Sequence, residues 1–160
     1  MAMQMIRTDP AWKNGDYETE PVEGLRGAND LVFIAGSAPL LLQKNYPTRA
    51  SAEAYVDSTL DRLIANTDAN NLLYYVNASR NYNPEPRLST ITAPVLWINS
   101  ADDFINPPEL GIAQKLVTRI PHAKFILIPI SEATHGHGTH TAAAVWKDYL
   151  IEFLQETEKK

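Results

Sequence analysis

The 160-residue sequence has no cysteine, carries 14 basic residues against 19 acidic ones, and has no long apolar run. The absence of cysteine excludes disulfide bonds, a thiolate nucleophile and thiolate metal sites. A formal net charge of −5, without any cluster of Lys and Arg, argues against a nucleic-acid-binding surface. No apolar segment approaches the ~20 residues that cross a bilayer, and the N-terminus lacks a basic start followed by an apolar stretch. We therefore expect a soluble protein without nucleic-acid or membrane partners, and by default a cytoplasmic one.

What the sequence does contain is enough apolar residues, 44%, for a domain-sized core. It divides into a helical portion, residues 1–90, and an α/β portion, residues 91–160. Residues 1–20 are polar and rich in turn residues, which predicts an extended or looping segment. Further along the helical portion, apolar residues recur at steps of three and four. This spacing predicts helices over residues 21–35, 51–66 and 68–79.

The second portion alternates strands and helices. Val95–Ser100 and Lys124–Ile130 are short apolar runs that predict two buried strands, with a helix opened by Pro107 and Pro108 between them. Such a βαβ unit pairs its two strands in parallel. A last amphipathic helix is predicted over residues 141–154. Two strands alone leave two open sheet edges, which predicts association with another polypeptide or with a second copy as a homo-oligomer.

Titratable residues follow both predicted strands. Two aspartates come directly after the first strand and three histidines after the second: Asp102, Asp103, His135, His137 and His140. The carboxyl ends of neighbouring parallel strands meet at one edge of a sheet, where open α/β sheets place their active sites. A carboxylate there can fix the tautomer of an imidazole and stabilise its protonated form, as in a Ser-His-Asp triad. An Asp paired with a His is therefore the predicted chemistry.

These motifs resemble the C-terminal part of α/β-hydrolase-fold enzymes. The stretch Asp103-Phe-Ile-Asn-Pro-Pro-Glu109 and the pair Gly136-His137, which precedes a C-terminal helix, carry the resemblance. The N-terminal stretch Ile6-Arg-Thr-Asp-Pro-Ala-Trp12, followed by Gly15-Asp-Tyr17 and Gly24-Leu25, is similar to the start of the lid in the homoserine O-acetyltransferase branch. The resemblance thus covers nearly the whole chain.

The resemblance implies an α/β fold in which residues 1–90 form a helical lid and residues 91–160 form the C-terminal segment of the hydrolase core. It implies that Asp103 is the triad acid and His137 the general base, with Asp102 and His140 as the weaker candidates. It also implies an acyltransferase or esterase that acts on a small-molecule acyl ester without a cofactor.

The chain departs from this family at the nucleophile. In α/β-hydrolases a serine on a G-x-S-x-G elbow precedes the Asp and the His in the sequence. No serine of this chain has a glycine two positions before it. The oxyanion-hole donors of the family also belong to the region upstream of the lid. We therefore expect these 160 residues to be inactive alone and to need a missing N-terminal half.

Two other functions would use the same residues differently. The stretch Thr134-His-Gly-His-Gly-Thr-His140 contains an H-x-H-x-x-H cluster, which is similar to the zinc motif of metallo-β-lactamases. That family has Asp where this chain has Thr139, and only twenty residues follow His140, too few for its further ligands. The remaining alternative is a non-catalytic oligomeric module derived from the hydrolase fold, in which the histidines are solvated loop residues.

Overall fold

A computed structural model describes residues 1–158, within which no helix is long and apolar enough to cross a membrane. The described helices and strands, in chain order, are α1 (Ala2–Thr8), α2 (Val22–Gly36), α3 (Pro39–Asn45), α4 (Arg49–Ala65), α5 (Ala69–Ala78), β1 (Val95–Ser100), α6 (Ile112–Val117), β2 (Ala123–Ile128) and α7 (Ala143–Glu158). The chain divides into two compact units. The first unit comprises Met1–Ala35 and Tyr46–Tyr82, and the second comprises Gly36–Asn45 and the chain from Asn83 onward.

The first unit is helical, and the N-terminal segment forms part of its core. Ile6 of α1 and Leu25 of α2 are fully buried and pack with Ala28, Ala69 and Leu73. The prediction of an extended segment over residues 1–20 is therefore wrong, because α1 and a 3₁₀ turn at Pro10–Gly15 occupy most of it. A seven-residue helix is not stable by itself, so packing against α2 and α5, rather than local propensity, stabilises α1.

The Asp9 carboxylate ties α1 to α2. It accepts hydrogen bonds from the Ala11 N–H and from the Gly24 N–H, each at 2.8 Å. Gly24 lies so close to α1 that a Cβ added to it would be 2.7 Å from the Met5 carbonyl oxygen. Only glycine fits at this crossing. The stretches around Asp9 and Gly24 that resemble the acetyltransferase branch therefore have a structural role in this unit.

The next part of the same segment docks on the start of α5. Trp12 Nε1 donates to Asn70 Oδ1 at 2.9 Å, and the Tyr17 hydroxyl donates to Asp68 Oδ2 at 2.7 Å. Asp68 is also the N-cap of α5, since its Oδ1 accepts from the Asn71 N–H at 2.7 Å. The bond from Asn71 satisfies a backbone donor at the helix start, and the bonds from Trp12 and Tyr17 fix the N-terminal segment against it.

The longer helices of this unit lie where the apolar spacing predicts them. The helices α2, α4 and α5 correspond to the predictions over residues 21–35, 51–66 and 68–79. Their ends differ from the predicted ones by at most two residues. The seven-residue α3, which belongs to the second unit, was not predicted. Its sequence, Pro-Leu-Leu-Leu-Gln-Lys-Asn, is too short for a helical period to be recognised.

The second unit contains the parallel pair β1–β2, which confirms the predicted βαβ arrangement. Val95 pairs with Ala123 at one end of the ladder, and Ser100 pairs with Ile128 at the other. Between the strands, a 3₁₀ turn at Pro108–Leu110 precedes α6. Gly111, at a left-handed φ of +64°, separates the two and divides the predicted helix.

Burial in the second unit is lower than predicted. In β2 only Ile128 is buried, and α7 has no buried residue although its apolar spacing indicated a buried face. The prediction of two buried strands is wrong, since only the last residue of each strand is buried, and the reason is physical. Within residues 1–158 the sheet has two strands, so each strand has one strand neighbour and one open edge.

Candidate active site

Asp103 lies in the turn directly after β1 and is 4% exposed. Its Oδ1 accepts hydrogen bonds from the backbone N–H groups of Ile105 and Asn106, each at 2.9 Å. The Asn106 side-chain amide donates to Oδ2 at 3.3 Å. An Asp that accepts from the N–H groups two and three residues on is a common turn arrangement. The local sequence alone therefore holds this carboxylate in place.

The imidazole of His137, in the loop between β2 and α7, meets this carboxylate. His137 Nδ1 lies 3.1 Å from Asp103 Oδ2 and 3.2 Å from Oδ1. Because an ionised carboxylate only accepts hydrogen bonds, we assign the ring proton to Nδ1. Nε2 is then the basic nitrogen. The His137 side chain is 36% exposed and lines a cavity of about 700 Å³.

Asp103 remains ionised in spite of its burial. Burial by itself would raise the pKa of the carboxyl. Hydrogen bonds from the Asn106 N–H, the His137 ring and the Asn106 amide outweigh the burial, so that the pKa of Asp103 lies below its ordinary value. A buried, ionised carboxylate against Nδ1 is suited to stabilise an imidazolium when Nε2 takes a proton.

Asp102 serves a different purpose in the same site. Its Oδ2 accepts from the Thr134 hydroxyl at 2.7 Å and from the Gly136 N–H at 3.3 Å, and its Oδ1 accepts from the Ser100 hydroxyl. The Thr139 hydroxyl in turn donates to Ser100 Oγ at 3.2 Å. Asp102 thus fixes the loop after β2 to the end of β1, and this loop carries His137.

Gly136 sets the path of the backbone immediately before His137. Its φ is +57°, and a Cβ added to it would be 2.7 Å from the Ser37 carbonyl oxygen. Both the left-handed conformation and the close approach require glycine. The Gly-His pair of the sequence motif is thereby explained, because the glycine lets the loop turn so that the next residue reaches Asp103.

The other two histidines of the loop, His135 and His140, are arranged differently. His140 Nδ1 donates to the His137 carbonyl oxygen at 2.6 Å, and its ring centre lies 5.2 Å from that of His137. His135 and His140 are both exposed. Within the described residues 1–158, no group of three or more His, Asp or Glu side chains is placed to hold a metal ion. The H-x-H-x-x-H spacing therefore does not bring the three histidines together as ligands.

Some residues of the site were not singled out from the sequence. Asn106 contacts both members of the pair, since its amide nitrogen lies 3.4 Å from His137 Nδ1 as well as 3.3 Å from Asp103 Oδ2. Its position three residues after an Asp in a turn was a usable signal. Thr134 and Thr139 are buried, with exposures of 0% and 4%. Nothing in a polar loop sequence distinguishes such threonines from exposed ones.

Comparison with known proteins supports the predicted resemblance. No family model matches the chain. In sequence, it is 24% identical to homoserine O-acetyltransferase of Geobacter sulfurreducens over 94% of this chain and 47% of that protein. In structure, it matches homoserine O-acetyltransferase of Bacillus anthracis with a TM-score of 0.77 and 25% identity, over 96% of this chain and 47% of that one. An esterase matches with a TM-score of 0.76 and 22% identity, over 96% and 48%.

These findings identify the fold of the chain. The parallel βαβ unit, the Asp and His loops and the structural matches give the chain the fold of the C-terminal part of an α/β hydrolase. Within this class the chain is similar to homoserine O-acetyltransferases in sequence and structure, and to esterases in structure. It spans about half the length of the relatives that it matches.

Proposed function

We propose that the chain supplies the acid and the base of a Ser-His-Asp triad for acyl transfer or ester hydrolysis. Asp103 is the acid and His137 the general base. The observation that carries the proposal is the 3.1 Å contact between His137 Nδ1 and a buried carboxylate that two backbone N–H groups already hold. This is the arrangement that fixes the imidazole tautomer and leaves Nε2 to accept a proton.

In the proposed reaction a serine hydroxyl attacks the carbonyl carbon of an acyl ester. His137 Nε2 takes the serine proton, and Asp103 stabilises the resulting imidazolium. The proton then passes to the leaving alkoxide as the acyl-enzyme forms. An alcohol or a water molecule repeats the sequence on the acyl-enzyme and releases the product. Because the chain has no G-x-S-x-G elbow, the serine comes from outside these 160 residues, and the chain alone is inactive.

The names of the relatives favour a small acetyl ester as the substrate class, since two of them are homoserine O-acetyltransferases. We assign residues 1–90 to the lid of such an enzyme. Acyltransferases and esterases use the same triad, and exclusion of water from the acyl-enzyme separates transfer from hydrolysis. The lid is the element that would perform this exclusion.

The experiment compares the chain alone with a fusion protein. In the fusion, the part of the Geobacter sulfurreducens acetyltransferase that this chain does not match is joined to the N-terminus of the full chain. We expect no hydrolysis of 4-nitrophenyl acetate above background by the chain alone, and measurable hydrolysis by the fusion. His137→Ala and Asp103→Ala should each lower kcat of the fusion by roughly 10³- to 10⁴-fold, because the serine is then not activated.

His140→Ala is the matched control, because its exposed ring contacts a backbone carbonyl and not the Asp103 carboxylate. We expect it to change kcat by less than about threefold. Hydrolysis by the chain alone that His137→Ala abolishes would contradict the assignment of the serine to another segment. Stoichiometric zinc in the purified chain, with a lower Tm after chelation, would contradict the triad in favour of the metal site.

A further inference from the structure

Asn106 holds the Asp103 carboxylate at both of its oxygens. The backbone N–H of Asn106 donates to Oδ1 at 2.9 Å, and the side-chain amide of the same residue donates to Oδ2 at 3.3 Å. Two donors that bond both oxygens of one carboxylate fix its orientation as well as its position. The orientation of the proposed acid therefore depends on a residue outside the Asp–His pair.

A count of donors shows how much the carboxylate relies on Asn106. An ionised carboxylate accepts about four hydrogen bonds, shared between its two oxygens. Oδ1 accepts from the N–H groups of Ile105 and Asn106, and Oδ2 accepts from the His137 ring and the Asn106 amide. Since Asp103 is 4% exposed, solvent contributes little to its hydrogen bonding. Two of the four donors thus come from Asn106.

The Asn106 amide also lies beside the His137 ring, with its nitrogen 3.4 Å from Nδ1. Nδ1 carries the proton that it donates to Asp103 Oδ2, so both nitrogens are donors and do not bond each other. They converge on the same oxygen from neighbouring directions. The amide therefore prevents Nδ1 from moving toward it and away from its position on Oδ2.

Asn99 ties the Asn106 backbone to the sheet. It is a residue of β1, where it pairs with Leu127, and its side-chain amide donates to the Asn106 carbonyl oxygen at 2.8 Å. Asn is depleted in strands, and this one interrupts the apolar run of β1. Asn106 is thus held by the strand before the turn as well as by the turn itself.

We infer that Asn106 is a positioning residue of the proposed triad, which orients the Asp103 carboxylate and restrains His137 Nδ1 beside it. The inference rests on the proposed function and deepens it, because it assigns to Asn106 an effect on the reaction that is exerted through Asp103 and His137. Electrostatics support it. Burial raises the pKa of Asp103, but the hydrogen bonds from Asn106 and His137 outweigh the burial and hold this pKa below its ordinary value.

Two substitutions of Asn106 separate this role from a merely structural one. Asn106→Ala removes the amide and keeps the backbone N–H on Oδ1. Asn106→Asp keeps the shape of the side chain but places a charged acceptor where the amide donates. Asn106 is exposed, so neither substitution removes core packing. Asn83→Asp is the matched control, since it adds the same charge at an exposed position whose side chain already acts as an acceptor, for the Glu85 N–H.

Nitrogen NMR spectra of the His137 ring in the chain alone give the first measurement. In Asn106→Asp the new carboxylate stabilises the imidazolium, so we expect the imidazolium signals to persist to a pH at least about one unit higher than in the unsubstituted chain. Asn83→Asp should leave them where they are. The other titratable groups around this ring are Asp103 and His140, whose ring centre lies 5.2 Å from that of His137, and all the variants retain both.

Hydrolysis of 4-nitrophenyl acetate by the fusion protein gives the second measurement. Asn106→Ala should lower kcat by about three- to tenfold with KM unchanged, because one hydrogen bond to a charged group is lost. Asn106→Asp should lose more activity at about pH 6 than at about pH 9, since an imidazolium cannot accept the serine proton. The loss in Asn106→Ala should not vary with pH in this way, and Asn83→Asp should retain full activity.

Either of two results would overturn the inference. One is that Asn106→Asp moves the His137 signals no further than Asn83→Asp does. The other is that Asn106→Ala leaves kcat of an active fusion unchanged. A fusion that is inactive without any substitution contradicts the proposed triad and not the positioning by Asn106, which the NMR comparison in the chain alone decides by itself.

Discussion

The two units of the chain differ in the balance of apolar and polar side chains that they bury. In the first unit the core is apolar and includes the fully buried Ile6, Leu25, Ala28 and Ala69. In the second unit the residues buried at the site are polar: Ser100, Asp103, Thr134 and Thr139. The first unit is therefore stabilised mainly by apolar packing, while the geometry of the site in the second unit is set by a hydrogen-bond network.

This difference explains which parts of each unit are open. The long helix α7 of the second unit has no buried residue, whereas α2 of the first has four. A network of satisfied polar groups fixes angles and distances at one site but buries little apolar surface. The apolar side chains of α7 are therefore all at least partly exposed, and among residues 1–158 β1 pairs with a strand on one edge only.

The largest effect expected from a single substitution is in the apolar core of the first unit. Ile6→Ala removes most of a fully buried side chain between α1, α2 and α5, and should lower the free energy of unfolding by about 2–5 kcal/mol. Ile151→Ala in α7, where the side chain is 49% exposed, should change it by less than about 0.5 kcal/mol. Urea unfolding followed by circular dichroism measures both. Equal effects would mean that the two units are packed alike.

The sequence predicted those parts of the structure that local pattern determines. The apolar period located α2, α4, α5 and both strands, and the loop motifs selected the two residues, Asp103 and His137, that the structure brings together. The helix α1 could not be predicted, because its stability comes from Ile6 packing on distant helices. The role of Asp102 could not be predicted either, since Thr134 and Gly136, which it holds in the loop, lie 32 and 34 positions later in the sequence.

An intermediate effect is expected at Gly136, and it tests how the hydrogen-bonded unit positions His137. Gly136→Ala meets both a left-handed φ and the Ser37 carbonyl oxygen at 2.7 Å, so we expect a loss of about 2–4 kcal/mol. Gly111→Ala has a similar φ of +64° but nothing within 4 Å, and should cost only about 1 kcal/mol.

Thermal unfolding of the two variants gives the difference, and the His137 ring signals in NMR spectra show whether the loop has moved. A loss in Gly136→Ala no larger than in Gly111→Ala would show that the loop shifts freely away from Ser37. In that case the contact with Asp103, rather than the backbone path, would determine where His137 lies.

The smallest effect expected concerns the ionised carboxylate of Asp103. Its pKa is lowered in the folded chain, so ionisation stabilises the fold at pH values above the ordinary aspartate pKa of about 3.9. This contribution is constant at neutral pH and is lost as the pH falls through the lowered folded-state pKa.

Asp103→Asn lacks the titrating group, so its stability should fall less steeply than that of the unsubstituted chain below about pH 5. Urea unfolding at pH 3 to 7 measures the slopes, and parallel curves for Asp103→Asn and the unsubstituted chain would show that the hydrogen bonds from Asn106 and His137 do not favour the ionised form.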